Sequence, residues 1–303
     1  MPVRPALLLA AAAITVAAAP LAAAPTPQPI TPAARWFAVG SVRVAALHDA
    51  DMLIPNDGKT FGVDVGPAAV AELLGVAGAP TDTIFVSVSA LLVTLPGHVV
   101  VLDTGLGPMA NGQVLASLAA AGIKPGDVTD VLITHSHGDH VGGLVTADGK
   151  PAFPNAKIRM AAAEWTFLQA NTDAAKLVAA ITPQVATFAP GTVVVPGITA
   201  IAVRGHTPGH MTYEIASRGK RLLDIGDSAH SSIVSLAQPD WTMGFDSDPA
   251  VGKASRRKML TDLAASHELI FSPHFPYPGV GTVEAHHGGF LWVPAAAATF
   301  AAK

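Results

Sequence analysis

The most constraining feature of the sequence is a run of metal-ligand residue types over residues 134–143, which reads THSHGDHVGG. It follows an apolar run, residues 131–133, that predicts a buried strand. Two of its histidines are two residues apart, so in an extended backbone both imidazoles point to the same side and can reach one metal ion. A glycine then lets the chain turn, and the next carboxylate and imidazole can aim at a second point nearby. The four side chains are His135, His137, Asp139 and His140.

Further ligand residues occur next to predicted strands later in the chain, and they are His210, Asp227 and His274. A histidine-rich solvated loop would not explain this recurrence, whereas seven ligands suit two metal ions with a shared carboxylate. The chain contains no cysteine, so any metal is held by nitrogen and oxygen. Such a donor set suits two Zn²⁺ ions, with Mn²⁺, Co²⁺ or Fe²⁺ as alternatives.

Composition excludes several classes of protein. The chain has 303 residues, of which 50% are hydrophobic and 13% charged, enough for one large core. The formal net charge is −4 and there is no basic stripe, which argues against nucleic acid as a partner. The short basic run at residues 256–258 is predicted to be the solvated face of a helix. We therefore expect a small-molecule substrate.

The N-terminus has the pattern of a secretory signal peptide, with Arg4 before an apolar core and an A-x-A-like site near residue 24. An uncleaved membrane anchor is the alternative. We predict a signal peptide over residues 1–24, a flexible Pro/Thr-rich lead over residues 25–35, and a single domain over residues 36–303. This organisation predicts a periplasmic or secreted protein with no stable membrane insertion after cleavage.

Predicted strands alternate with helices, and polar residues are concentrated at strand ends, which indicates a layered α/β architecture. The segment His48–Asp51 is predicted to be a turn, and residues 269–271 to be the last strand. Asp103, at the end of a buried strand, is expected to orient a ligand imidazole from behind, although a turn cap is the alternative. Trp165 could line a substrate pocket or pack in the core, and His230 could face the pocket. His206 is expected to have a structural role in its loop.

The stretch His135–His140 matches the HxHxDH motif, and together with the later His, Gly-Asp and His residues it resembles the metallo-β-lactamase superfamily. The resemblance covers roughly residues 36–295 and implies a four-layer αββα sandwich with the site at one edge. It implies that one metal is bound by His135, His137 and His210, a second by Asp139, His140 and His274, with Asp227 bridging. It also implies that Asp103 is the acid behind a ligand histidine.

Within that superfamily, the C-terminal half is most similar to methyl parathion hydrolase and its lactonase relatives. The stretches that carry this similarity are residues 205–213, 226–230, 245–248 and 273–281. The N-terminal half matches less clearly, and it should supply part of the substrate pocket.

The expected function is that of a dinuclear metal-dependent hydrolase in which a metal-bridging hydroxide cleaves a lactone, an aryl ester or an organophosphate triester. Asp139 is expected to orient the nucleophile and to pass its proton to the leaving group. A β-lactamase, a thioester hydrolase of the same fold and a non-catalytic periplasmic metal-binding protein remain alternatives. A homodimer is also compatible with the sequence.

Overall fold

The computed structural model describes residues 26–300, which form two β-sheets packed face to face with helices on their outer surfaces. The first sheet runs in the order β1-β3-β4-β5-β6-β7-β8, and β2 also pairs with β3. Its strands are β1 (Thr26–Gln28), β2 (Ala34–Val39), β3 (Val42–Pro55), β4 (Thr83–Leu95), β5 (His98–Leu102), β6 (Asp130–Leu132), β7 (Lys157–Ala161) and β8 (Val185–Phe188). Pairing is antiparallel from β1 to β5 and parallel from β5 to β8.

The second sheet is built by the C-terminal half and runs from β15 to β9 in reverse order of sequence. Its strands are β9 (Val193–Val195), β10 (Ile198–Ala202), β11 (Met211–Ser217), β12 (Lys220–Asp224), β13 (Leu269–Phe271), β14 (Val280–His286) and β15 (Gly289–Pro294). Only the β12–β13 pair is parallel among these described strands.

Helices cover the outer face of each sheet, so the predicted αββα layering is confirmed. The helices are α1 (Pro67–Val76), α2 (Val114–Ala120), α3 (Gly138–Val141), α4 (Ala162–Ala170), α5 (Ala175–Ile181), α6 (Val234–Ala237) and α7 (Pro249–Ser266). Side chains of α2, α4 and α5 join the apolar core outside the first sheet. Those of α6 and α7 do the same for the second sheet. No helix within residues 26–300 is long and apolar enough to cross a membrane.

The central core lies between the two sheets. Leu91 and Val93 of β4 meet Ile198 of β10 and Ile215 of β11 there, all fully buried. Tyr213 of β11 is also fully buried, and its hydroxyl donates a 2.7 Å hydrogen bond to the carbonyl of Ile133, just beyond β6. This bond joins the two sheets immediately beside the histidine-rich stretch.

Three local predictions are wrong. The flexible lead expected over residues 25–35 contains β1 and the start of β2, which are held by pairing with β3. The turn expected at His48–Asp51 lies inside β3, because a bulge between His48 and Ala50 accommodates the polar run and His48 bonds to Asp51 at 2.9 Å. The strand Leu269–Phe271 is followed by β14 and β15. The predicted signal peptide, residues 1–24, lies outside the described residues.

Replacing Tyr213 with Phe should lower the free energy of unfolding by about 1–2 kcal/mol, because the buried Ile133 carbonyl loses its donor. Tyr277→Phe is the matched control. Its hydroxyl donates to the Ala46 carbonyl at 3.2 Å from a half-buried position, where water can replace it. Urea unfolding of both variants would measure the difference, and equal losses would contradict the bridging role of Tyr213.

Candidate metal centre

The predicted ligand residues converge at one end of the sandwich, where loops from both sheets meet. The stretch 134–140 follows β6 of the first sheet. The loop between β10 and β11, the turn after β12 and the segment after β13 come from the second sheet. Their side chains form two groups of nitrogen and oxygen donors in which the donor atoms lie within 4.8 Å of one another.

The first donor group consists of His135, His137, His206 and Asp227. The Nε2 atom of His206 lies 3.1 Å from Nε2 of His135 and 2.9 Å from Nδ1 of His137. It is also 3.3 Å from Oδ2 of Asp227. Three imidazoles and one carboxylate therefore face a common point.

The second donor group consists of Asp139, His140 and His274. The Oδ2 atom of Asp139 is 3.7 Å from Nε2 of His140 and 3.5 Å from Nε2 of His274. Asp139 and His140 lie in the single-turn helix α3, directly after the strand-like segment that carries His135 and His137.

Asp227 faces both groups. Its Oδ2 atom is turned towards His206, while Oδ1 lies 3.2 Å from Nε2 of His140 and 3.0 Å from Nε2 of His274. One carboxylate thus offers one oxygen to each donor group, as the resemblance implies.

The donor set fits a divalent cation. Nε2 of His140 and Oδ1 of Asp227 are both buried and have no hydrogen-bond partner. Leaving such atoms unpaired is costly, and an ion between them would remove that cost. Imidazole nitrogen and carboxylate oxygen are the ligands that zinc and related transition metals prefer.

Burial and neighbouring charged groups set the protonation states of several of these side chains. It lowers the pKa of His137 to about 4, with a further contribution from the neighbouring His206, so this imidazole is neutral at pH 7. Neutral imidazole is the form that binds metals. Burial alone would raise the pKa of Asp227, but His274 and His140 outweigh it and hold that pKa well below its usual range. Asp227 is therefore an anion.

The structure places His206 in the donor cluster where His210 was predicted. Both ring nitrogens of His210 are already used, because Nδ1 donates to the carbonyl of Val203 at 2.9 Å and Nε2 accepts the backbone N–H of Asp227 at 2.9 Å. Burial lowers the pKa of His210 to about 3, which keeps it neutral for these two bonds. His210 therefore supports the Asp227 backbone, and the expected structural role of His206 is wrong.

Acceptors behind the imidazoles hold their orientation. Asp103 accepts from Nδ1 of His140 at 2.8 Å, and it also accepts from the backbone and hydroxyl of Thr134 at 2.8 and 2.7 Å. The carbonyl of Ser87 on β4 lies 2.9 Å from Nδ1 of His274. In each case the bond to Nδ1 leaves Nε2 facing the donor cluster, as expected for Asp103 from the sequence.

The buried carboxylate of Glu164, whose role the sequence analysis did not predict, accepts hydrogen bonds from two of the donor loops. Glu164 of α4 accepts from the backbone and hydroxyl of Ser136 at 2.7 and 2.6 Å. Its other oxygen accepts from the Thr207 hydroxyl at 2.7 Å and the Gly209 N–H at 3.1 Å. The loops that carry His135 and His206 are thus held at a fixed separation.

A cavity of about 370 Å³ opens directly onto the donors. Its polar lining residues are His137, Asp139, Asp227, His230 and His274, and its apolar lining residues include Met52, Ile54, Val86, Leu106 and Phe245. His230 therefore lies in the pocket, as considered from the sequence. Trp165 does not, because it packs against the core outside the first sheet.

The family model described as the metallo-beta-lactamase superfamily matches residues 83–274, a range that contains every donor. The chain belongs to the metallo-beta-lactamase superfamily. Together with the donor set, this membership makes it a metallo-hydrolase of that superfamily.

Two solved structures of this superfamily resemble the chain over most of its length. AidC, a dizinc quorum-quenching lactonase in complex with a product, N-hexanoyl-L-homoserine, matches with a TM-score of 0.82 and 26% identity, over 88% of this chain and 98% of that chain. The hydrolase AbOPH matches with a TM-score of 0.80 and 28% identity, over 88% of this chain and 99% of that chain.

Curated relatives match over shorter stretches. Human metallo-beta-lactamase domain-containing protein 1 is 51% identical over 45 residues, which is 15% of this chain and only 16% of the length of the human protein. The N-acyl homoserine lactonase of Bacillus cereus is 27% identical over 190 residues, covering 55% of this chain and 73% of that protein.

Replacing His206 with Ala should lower the content of bound divalent metal by about one ion per chain, because the first donor group loses the imidazole at its centre. His210→Asn is the comparison, since its amide keeps a donor for the Val203 carbonyl, and it should cost stability and less metal than His206→Ala. Elemental analysis of gel-filtered protein would count the ions. Metal loss in the His210 variant with full content in the His206 variant would restore the sequence-based assignment.

Proposed function

We propose that the protein is a dinuclear metal-dependent hydrolase that opens a lactone or cleaves a carboxylic ester bearing an apolar acyl chain. The observation that carries the proposal is the cavity, which is lined both by metal-ligand side chains and by a set of apolar side chains, here called the apolar wall. The similarity to AidC and to the Bacillus cereus lactonase supports the lactone as the first substrate to test.

The apolar wall suits an acyl chain better than a charged substrate. Met52 and Ile54 come from β3, Val86 from β4, and Phe245 from the loop before α7, and none of them carries a charge. Burying apolar surface contributes roughly 25 cal/mol per Å², so a chain laid along this wall would orient the reacting carbonyl towards the donors.

Two divalent ions, proposed to be zinc, would supply Lewis-acid polarisation of the substrate carbonyl and make water nucleophilic near neutral pH. Asp139 is the donor carboxylate most open to the cavity, with 24% of its side chain exposed against 4% for Asp227. Its carboxylate can hold the attacking water by a hydrogen bond and then pass the proton to the leaving oxygen.

His230 supplies the remaining polar group in the cavity. It is buried, both of its ring nitrogens lack a hydrogen-bond partner, and its Nε2 atom is 3.2 Å from Oδ2 of Asp227. It is not a member of either donor group. We assign its ring N–H to the substrate carbonyl oxygen, where negative charge develops as the nucleophile attacks.

The cellular location is proposed from the sequence of residues 1–24, which lie outside the part of the chain that the structure describes. Their signal-peptide pattern supports export, so that the enzyme acts in the periplasm or outside the cell.

The rate should rise with acyl length if the wall binds the chain. For N-butanoyl, N-hexanoyl and N-octanoyl homoserine lactones, kcat/KM should increase about fourfold per methylene, since each buried methylene contributes about 0.8 kcal/mol. Phe245→Ala should flatten this dependence. Val251→Ala should not, because Val251 is similarly exposed but outside the cavity.

The same panel should include an aryl ester, methyl parathion, a β-lactam and a glutathione thioester. Faster turnover of the β-lactam or the thioester would replace the proposed function by one of the alternatives. A kcat/KM that does not vary with acyl length would remove the role of the apolar wall.

His230→Phe should lower kcat/KM about 100-fold through loss of one hydrogen-bond donor to the developing oxyanion, with metal content unchanged. His230→Gln keeps an N–H and should recover part of the rate. Unchanged kinetics in the Phe variant would exclude His230 from the reaction, and metal loss would instead make it a ligand.

A further inference from the structure

Arg256 is a fully buried arginine directly behind the metal centre. Its side chain is 1% exposed, whereas the side chain of the next residue, Arg257, is 41% exposed and pairs with Asp240 on the surface. The solvated face predicted for residues 256–258 is therefore correct for Arg257 and wrong for Arg256. A guanidinium is buried only at high cost unless it is paired and fully hydrogen-bonded.

Arg256 meets that condition through partners next to the donors. Its Nη2 atom lies 2.6 Å from Oδ2 of Asp246, a carboxylate that is also 1% exposed. Its Nε atom donates to the carbonyl of Ser228 at 3.0 Å, and Nη1 donates to the carbonyl of Pro239 at 2.9 Å. Ser228 directly follows Asp227, so the guanidinium holds the turn that carries the shared carboxylate.

The second oxygen of Asp246 reaches the first donor group itself. Oδ1 of Asp246 lies 3.2 Å from Nδ1 of His206. This contact places the ring proton on Nδ1 and leaves Nε2 with its lone pair facing His135 and His137. The chain Arg256–Asp246–His206 therefore fixes the ring that stands at the centre of the first donor group.

The second donor group has a separate support. His140 is backed by Asp103, and His274 is backed by the Ser87 carbonyl. Neither Asp246 nor Arg256 contacts these groups in the described hydrogen bonds. Asp246 thus backs the first donor group alone, whereas Asp103 backs His140 directly and His135 through the Thr134 hydroxyl, which lies 3.1 Å from Nδ1 of His135.

We propose that Asp246 is a positioning residue that sets the metal affinity of the first donor group independently of the second, and that Arg256 holds Asp246 in place. The proposal rests on the dinuclear centre of the proposed function. A carboxylate behind a ligand imidazole fixes ring orientation and raises basicity, and its loss typically costs 10- to 100-fold in metal affinity.

The test compares two neighbouring ion pairs made by consecutive arginines of α7. The variants are Asp246→Asn and Arg256→Lys, and the matched controls are Asp240→Asn and Arg257→Lys. Asp103→Asn and the double variant Asp103→Asn/Asp246→Asn address the other donor group. Metal-free full-length protein is titrated with Zn²⁺ against a chromophoric chelator, which gives two affinities, and thermal unfolding of the same metal-free samples is recorded.

Asp246→Asn should weaken one affinity 10- to 100-fold and leave the other unchanged, while the two controls bind as the wild type does. Arg256→Lys should weaken the same affinity most, with a smaller effect on the other because its guanidinium also holds the turn of the shared Asp227. Asp103→Asn should weaken mainly the affinity that Asp246→Asn leaves unchanged, and the double variant should strongly weaken both. If the single variants do not fold, Asp246→Leu/Arg256→Met removes both charges together and should show the same selective loss.

Unchanged affinities with a lower melting temperature of the metal-free protein would overturn the proposal and leave a role in folding alone. An equal fall in both affinities in the Asp246 variant would also overturn it. The titration uses no substrate, so a wild type that binds two ions but hydrolyses nothing contradicts the proposed function and not this inference. If the wild type hydrolyses lactones and the Asp246 variant keeps both metal affinities unchanged, only this inference is contradicted.

Discussion

The structure depends on one buried anion. The Asp227 carboxylate is 4% exposed, and burying a charge without compensation is prohibitive. Imidazole nitrogens lie within 3.6 Å of its oxygens, contributed by His135, His140, His206, His230 and His274, and a cation held between these groups would compensate the charge. The ends of both sheets must therefore converge on the same point, and the loops that do so have little freedom to differ.

The residues that hold the donors in place differ from the residues that form the apolar lining of the cavity. The donors are supported from behind by buried carboxylates, which are Asp103 at the end of β5, Glu164 of α4 and Asp246 in the loop before α7. The apolar lining of the cavity comes from β3, β4 and connecting loops, and its side chains make no hydrogen bond to the ring nitrogens of the donors. Side chains of the wall can thus change what is bound without disturbing the groups that perform the chemistry.

Local patterns predicted much of this architecture. The histidine run after β6, the strand-end position of Asp103 and the αββα layering follow from periodicity, spacing and resemblance. The choice between His206 and His210 does not, because both lie in one loop four residues apart. It depends on the Val203 carbonyl and the Asp227 N–H, which engage His210 only in the folded chain. Arg256 and Arg257 are likewise indistinguishable in sequence, and only the packing of α7 buries one of them.

The seven donors are divided between the two sheets. His135, His137, Asp139 and His140 follow β6, whereas His206, Asp227 and His274 come from the second sheet, so three of the seven are made later along the chain. A chain whose second sheet has not yet closed on the first has neither group complete. Tight retention of an ion would therefore require that both halves have assembled in register.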